Sequence, residues 1–354
     1  MSHASSHDSS HDSSHDATHV SAARPWLSLL IPVYNVEPWL EACLASVFAQ
    51  DSLDGVEVLA VDDCATDGSP AVLAAWSARH PGPLRVIRHE RNAGISATRN
   101  TLVEASRGHY LWFLDADDVL MPGAVASLKQ QVQALQPDLV LCDFAYLRER
   151  EKLKHRLRGE RHVRSFDGPS SQVLNDRGLL MQGLLLPGYL HCWSRISRRS
   201  LWDESLRFPV GRYYEDMAVV PALALRARSW LHVPEVWIGY RQRPGSILAT
   251  GDTRKYEHMM QALAGLGQHW AEASRADPRI AFAAAHFAAR SFIGACRHVR
   301  KVGDRDRLPG FLEVFTAASP LGASALLRAY VRRGWWWRAL RLRHWLGQCR
   351  SAGR

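Results

Sequence analysis

Between residues 27 and 144, short, mostly apolar runs alternate with longer stretches in which apolar side chains recur every three or four positions. Residues 27–33, 56–61, 84–87, 110–114 and 139–144 have the length and continuity of buried strands, the first broken by Pro32. Residues 38–50 (apolar at Leu40, Leu44, Val47 and Phe48), 70–79, 96–105 and 124–135 have helical spacing. Pro38 stands near a first helical turn, where its missing N–H is not needed. Alternation of this kind, with continuous apolar strands, predicts an α/β fold: a parallel sheet covered by helices on both faces. Ligands of such sheets sit beyond the carboxyl ends of the strands. The polar clusters at 62–69, 90–100 and 115–118 each follow a strand, so they are predicted to converge on one site.

Beyond residue 145 the alternation fades. Basic residues fill every even position from 148 to 158, as a solvated strand face or a basic flap would require. From about residue 255 the chain is alanine-rich with helical spacing, Phe282, Phe287 and Ile293 included, which predicts a helical C-terminal subdomain. At the other end, Ser-Ser-His-Asp occurs three times between positions 5 and 16, with histidines at 3, 7, 11, 15 and 19. Nothing there can bury enough area to offset the entropy of ordering, so residues 1–24 read as a disordered polar arm. Its spaced imidazoles could at most chelate adventitious zinc or nickel. The division is thus an arm over 1–24, an α/β domain over 25–250 and a helical region over 251–354.

Composition narrows the class. The 354 residues are 47% apolar and 22% charged, which leaves out collagen-like, disordered and disulfide-scaffold chains. No apolar run approaches the roughly 18 residues of a spanning helix. No basic start with an apolar core and cleavage site opens the chain, so the expected location is cytoplasmic. The six cysteines (43, 64, 142, 192, 296 and 349) form no CxxC pair and read as free thiols of a reducing compartment. The net charge of +9 is unevenly spread. No acidic residue follows Glu313, and residues 321–354 interleave eight arginines with Trp335, Trp336, Trp337 and Trp345. Such a helix can lie on an anionic membrane surface, or can pack its tryptophans on the rest of the protein. A nucleic-acid partner is not favoured: no helix-turn-helix, finger or RNP pattern is present.

Five segments carry chemistry. Asp115-x-Asp117, at a strand end, offers oxygen ligands to a hard divalent cation, Mn2+ or Mg2+, that could neutralise a diphosphate; the alternative is a capped turn. Asp62-Asp63 can present a carboxylate to a base imide or to ribose hydroxyls, while Asp67 or Ser69 can cap the next helix. In 91–100, Gly94 permits φ > 0 or close backbone approach, and Asn92 opens the turn. Ser96 can cap the helix whose positive end would face a phosphate, with Arg99 on its first turn. Glu215-Asp216 can supply a general base, or can simply complement a helix N-terminus. Arg243-Pro-Gly-Ser246 is a cationic loop suited to a diphosphate, or a basic surface turn.

In this order the five segments resemble the family 2 inverting glycosyltransferases of the GT-A fold, over about residues 27–246. Ile31-Pro32-Val33-Tyr34-Asn35 and the stretch from His191-Cys192-Trp193-Ser194-Arg195 to Arg198-Arg199 add to the resemblance. It implies a mixed, mainly parallel sheet with helices on both faces. It also implies a nucleotide-sugar donor, a UDP-sugar, and an acceptor hydroxyl on a cell-surface glycan or lipid-linked sugar. By the same resemblance Pro32, Tyr34 and Asp63 would hold base and ribose, with Asp62 close by, and Asn92, Gly94 and Arg99 would line the donor. Asp117 would be the main metal ligand and Asp115 a second, near the donor ribose and sugar. Asp216 would be the base, Glu215 its neighbour beside the acceptor, and Arg243 and Ser246 would approach the diphosphate. A looser likeness links the C-terminal half to bacterial lipopolysaccharide-core sugar transferases. Two departures stand out: Cys64-Ala65 where the family usually has Gly-Ser, and Arg243 where some relatives carry histidine. A nucleotidyltransferase with the same nucleotide and metal pocket is the alternative enzyme, but that chemistry needs no base at Glu215-Asp216. A non-catalytic membrane- or anion-binding protein is the alternative outside enzymes. A transferase with a lipid-linked acceptor is expected peripherally on the inner face of the cytoplasmic membrane.

Overall fold

The structure, a computed structural model, describes residues 24–148, 150, 152–242 and 254–352. The polar arm over 1–23 and the Arg243 and Ser246 assignments lie outside the described residues. The chain opens with β1 (Leu27–Val33), α1 (Glu37–Phe48), β2 (Val56–Asp62), α2 (Ser69–Arg79), β3 (Leu84–Arg88), α3 (Ile95–Ala105) and β4 (Tyr110–Phe113). It continues with β5 (Val119–Leu120), α4 (Ala124–Leu135), β6 (Leu139–Leu147), α5 (Leu153–Leu157), β7 (Val173–Leu174) and α6 (Arg177–Leu185). Then come β8 (Arg195–Arg198), α7 (Glu215–Arg226), β9 (Trp230–Arg241), α8 (Arg254–Ala276), α9 (Pro278–Val302), α10 (Leu308–Ala318), α11 (Ala323–Arg332) and α12 (Trp336–Ala352).

The sheet order is β3-β2-β1-β4-β8-β6-β9-β5, with β7 also on β9. Strands β3, β2, β1 and β4 form the parallel core; the short β8 runs antiparallel between β4 and β6, and β6 pairs with β9 in parallel. The sheet is therefore mixed, as expected. Every residue of β1 is buried, because neighbours flank it on both edges and helices cover both faces. Pro32 does not break this strand. Val33 accepts from the Asp63 amide on the β2 side, so Pro32 faces the β4 side, where the ladder has already ended at Leu30 and Phe113. An N–H there would have no strand to donate to.

Two apolar clusters lie on the two faces of the sheet. One gathers α1, α2 and α4 residues such as Leu40, Trp76 and Leu128; the other gathers α3, α6 and α7 with α8 to α12. The C-terminal helices share this second core with the α/β domain, through α8 on α7 and α9 on α6. Residues 148–164 do not form the solvated strand face considered above. They hold the short helix α5 and a return that pairs Val163 with Phe144. In α12, Ala339, Leu342, Trp345, Leu346 and Cys349 are buried, whereas Trp336 (58% exposed) and Trp337 (82%) stay in solvent. The tryptophans of this tail thus divide between packing and exposure. Among the described residues no single helix is long and apolar enough to cross a membrane.

Candidate active site

The loops after β1, β2, β3 and β4 meet at the carboxyl edge of the sheet, where β1 has β2 on one side and β4 on the other. The order in which strands are added reverses there, which is where open α/β sheets make their ligand crevice. After β1, Tyr34 is 45% exposed and Asn35 turns with φ +48°. The Asn35 Oδ1 accepts from the Thr66 amide at 2.8 Å and ties this turn to the one after β2. In that second turn Cys64 takes φ +59°, the left-handed conformation a glycine would adopt freely. The departure from Gly-Ser therefore keeps the turn.

Asp62 and Asp63 are both almost fully buried and are occupied inside the protein. Asp62 accepts from the Ala65 amide at 2.8 Å and pairs with Arg88 at 3.2 Å. Asp63 accepts from the Ala93 and Gly94 amides at 2.9 and 2.8 Å and contacts the His89 Nδ1 at 2.7 Å. Sequence reasoning gave these carboxylates to a ligand. In the structure Asp63 fixes the 92–94 turn against β2, and Asp62 holds the turn after β2 and Arg88. Asn92 joins through its side-chain amide to the Asp63 carbonyl at 3.4 Å. Gly94 has φ +86° and open space where a Cβ would stand, so conformation demands the glycine and the backbone there faces room. Ser96 does not cap α3. It is buried in the first turn, its hydroxyl has no partner, and Gly94 takes the cap position.

Arg99 differs most from expectation. Its side chain is 3% exposed and faces carboxylates in place of a phosphate. Nη2 donates to Asp115 Oδ1 at 2.8 Å, and Nη1 donates to Glu215 Oε1 at 2.7 Å and to Asp216 Oδ1 at 2.9 Å. Burial alone would lower the guanidinium pKa, but Asp216, Asp115 and Glu215 hold it well above its ordinary value. One cation thereby joins the DxD segment to the Glu-Asp pair. That pair opens α7, behind Tyr214 with φ +61°. Asp216 Oδ2 also accepts from the Cys192 amide at 3.3 Å. Burial pushes the Glu215 carboxyl up to about 7; Arg99 opposes the rise and Asp216 adds to it. The pair stands in the first turn of α7, where acidic residues complement the helix N-terminus.

Asp118 adjoins the predicted ligands. Fully buried, it accepts from the Arg241 amide through Oδ1 at 2.8 Å, while its Oδ2 has no partner. Arg241 also donates from Nε to the Asp117 carbonyl at 2.8 Å. Burial, then the nearby Asp115 and Asp117, raise the Asp118 pKa well above the carboxylate range. Among the described residues no three His, Cys, Asp or Glu side chains close into a metal cage. A hard cation bound by one or two carboxylates and completed by substrate phosphates needs no such cage. The run of carboxylates, with one orphaned oxygen, fits that kind of ion.

Between the DxD loop and the Glu-Asp pair stands a group of rings that sequence reasoning missed. Phe144 and Trp193 are buried beneath Tyr146, Tyr189, His191 and Tyr240, which are half-buried. His191 lies 4.6 Å from Trp193, centroid to centroid, in a stack, and 5.6 Å from Tyr240. The quoted stretch at 191–195 was the one sign of this group in the sequence, because the rings come from β6, β9 and the loop before β8.

A profile of the Glycosyl transferase family 2 matches residues 28–204. The uncharacterized glycosyltransferase EpsJ of Bacillus subtilis is 36% identical over 120 residues, 34% of this chain and 34% of EpsJ. The match thus spans about a third of that relative's own length. The succinoglycan biosynthesis protein ExoO of Rhizobium meliloti is 32% identical over 240 residues, 63% of this chain and 62% of ExoO. Among solved structures, Staphylococcus aureus TarS 1-349 superposes with a TM-score of 0.65 at 20% identity, over 93% of this chain and 92% of the other. The same TarS segment in complex with UDP-GlcNAc gives 0.65 at 19% identity, over 92% and 91%.

Proposed function

The chain belongs to glycosyl transferase family 2, and on that premise we propose that it transfers a sugar with inversion from a UDP-sugar to a hydroxyl of a cell-surface glycan or lipid-linked acceptor. The observation that carries this reading is Arg99, whose single guanidinium bridges the donor-side Asp115 to Glu215 and Asp216. A nucleotidyltransferase has no use for a carboxylate pair locked to the metal-side aspartate. Asp216 takes the proton of the acceptor hydroxyl as its oxygen bonds to the anomeric carbon. The bond from that carbon to the diphosphate oxygen breaks in the same displacement, which inverts the centre. Asp117, with Asp115, would hold Mn2+ or Mg2+, which when bound supplies charge neutralisation of the departing diphosphate. The base and ribose lie against Tyr34, Pro32 and the 92–94 turn. The N-terminus of α3, which has no side-chain cap and an unpartnered Ser96 hydroxyl, would face the phosphates. The UDP-GlcNAc complex of TarS, on the same fold, supports the choice of donor class, and ExoO supports a polysaccharide pathway.

The test is titration of the purified protein with UDP-sugars, with and without Mn2+ or Mg2+. Binding that needs the metal and is lost in Asp117→Ala supports the assignment. Metal-independent binding removes Asp117 from its role, and absence of binding by folded protein removes the proposal.

We further propose that the enzyme works peripherally on the inner face of the cytoplasmic membrane. Exposed Trp336, Trp337 and Leu340 are surrounded by Arg333, Arg338 and Arg341, with no acidic residue after Glu313. Aromatic rings at the headgroup level and cations against anionic lipid favour the same placement. In flotation with phosphatidylglycerol-containing vesicles, the wild type is expected to rise with the lipid and Trp336→Ala/Trp337→Ala to remain in the pellet fraction. Equal flotation of both proteins would remove the tail from membrane attachment.

A further inference from the structure

We infer that the rings of Tyr146, Tyr189, His191 and Tyr240 form the acceptor subsite and bind the C–H face of a hexopyranose. This inference rests on the transferase reading and names the substrate class of that same site.

The rings are anchored at both ends of the reaction centre. Cys192, next to His191, donates its amide to Asp216, the proposed base, at 3.3 Å. Arg241, next to Tyr240, donates to Asp118 and Asp117 at 2.8 Å each, on the donor side. A molecule lying on the rings therefore spans from the departing diphosphate to the base, the position required of an attacking acceptor.

Their packing makes them a platform. Phe144 meets Tyr146, Tyr189, His191 and Trp193 edge-on at centroid distances of 5.4, 5.6, 5.9 and 5.1 Å. Edge-to-face contact below fixes the upper rings in place. Among the described residues, none of the three tyrosine hydroxyls has a hydrogen-bond partner in the protein, and none is sealed from solvent. The surface thus offers apolar ring faces, tilted 31–43° to one another, with free donor-acceptor groups at the margin. A hexopyranose has the matching shape: one face of axial C–H bonds and a rim of hydroxyls. Charge supports the same choice. Burial and the neighbouring Asp118, Asp115 and Asp117 push the Tyr240 phenol up to about 12, and burial holds the His191 imidazole down to about 4. Near neutral pH Tyr240 and His191 are uncharged, which suits a neutral sugar.

Saturation-transfer NMR with methyl β-glucopyranoside and methyl β-galactopyranoside as probes, on full-length protein with UDP bound, tests this. Saturation is expected on the ring C–H protons of one face. In Tyr146→Ala and Tyr240→Ala the sugar affinity should fall about tenfold, the loss of one aromatic contact, while UDP affinity stays within about twofold. Tyr240→Phe keeps the ring and should keep the one-face pattern, which separates stacking from loss of fold. Absence of saturation on either probe would overturn the inference. So would variants that weaken UDP and leave the sugar signal unchanged, since the rings would then serve the donor base. If the wild type binds the sugars but no nucleotide, the transferase reading fails separately.

Discussion

Asp216→Asn is expected to lower the rate of transfer roughly 10²- to 10⁴-fold, the usual contribution of a positioned general base, while UDP-sugar affinity changes by less than about twofold. The substitution is nearly isosteric. An asparagine carbonyl can still accept from Arg99 Nη1, and only the longer contact to the Cys192 amide, at 3.3 Å, is left facing a donor. The variant should therefore fold, and its defect should lie in kcat. Single-turnover transfer from a saturating donor is the measurement; near-wild-type turnover would remove Asp216 as the base. The pair also sets a pH dependence. Glu215 and Asp216 share one Arg99 nitrogen, and Glu215 titrates near 7 because burial disfavours its charge. As pH falls through about 7 the pair takes up a proton, and a carboxylate bound to a shared proton is a weaker base. Transfer is expected to fall on that acidic limb, and Glu215→Gln should move the limb to lower pH. For stability the sign is opposite to the usual carboxylate case. A folded pKa raised above the unfolded one means that the native state holds the proton more tightly. The contribution of Glu215 is full at acid pH and is lost as pH rises through 7.

The larger structural effect is expected at Arg99. Arg99→Leu leaves Asp115, Glu215 and Asp216 facing one another without their shared cation. Breaking a buried ion pair from one side costs about 3–5 kcal/mol. The carboxylates keep 15–28% of their side-chain exposure, so water moderates the loss and the lower end of that range applies. A fall in the urea midpoint worth about 3 kcal/mol is expected. Arg99→Lys should recover only part, because an ammonium on a single stem cannot reach both sides of the fork. A urea midpoint for Arg99→Leu equal to that of wild type at pH 7.5 would show that the guanidinium contributes no net stability.

Apart from the two-residue β5, the strands and helices up to residue 147 were legible because each is local: apolar continuity for β1, β2 and β4, and 3.6-residue spacing for α4, whose bounds fall where the pattern placed them. The convergence of the 62–69, 90–100 and 115–118 clusters was legible from topology alone. Partnerships were not. Arg99 reads as a first-turn cation near a phosphate, since its carboxylates lie 16, 116 and 117 positions away. Asp63 reads as a ligand group alone, since nothing in the sequence says that the Ala93 and Gly94 amides fold back onto it. Strand β8 is only four residues, and its antiparallel insertion between β4 and β6 leaves no periodic signal. The aromatic platform is invisible for the same reason: its rings reach one place only after β6, β9 and the loop before β8 are assembled.

The region matched to the family ends at residue 204, and the proposed base stands beyond it, on α7. That helix rests on α8, and its buried Met217 and Val220 share one core with Met260, Leu263 and Leu266. The two jobs of the enzyme therefore have different foundations. On the proposed roles, donor recognition would be built into the parallel half of the sheet, while the angle at which the base meets an acceptor would be held from behind by the C-terminal helices. On the same assignment, substitutions in those helices are expected to change which hydroxyl is chosen and to leave nucleotide binding untouched, so the two specificities would be separable within one chain.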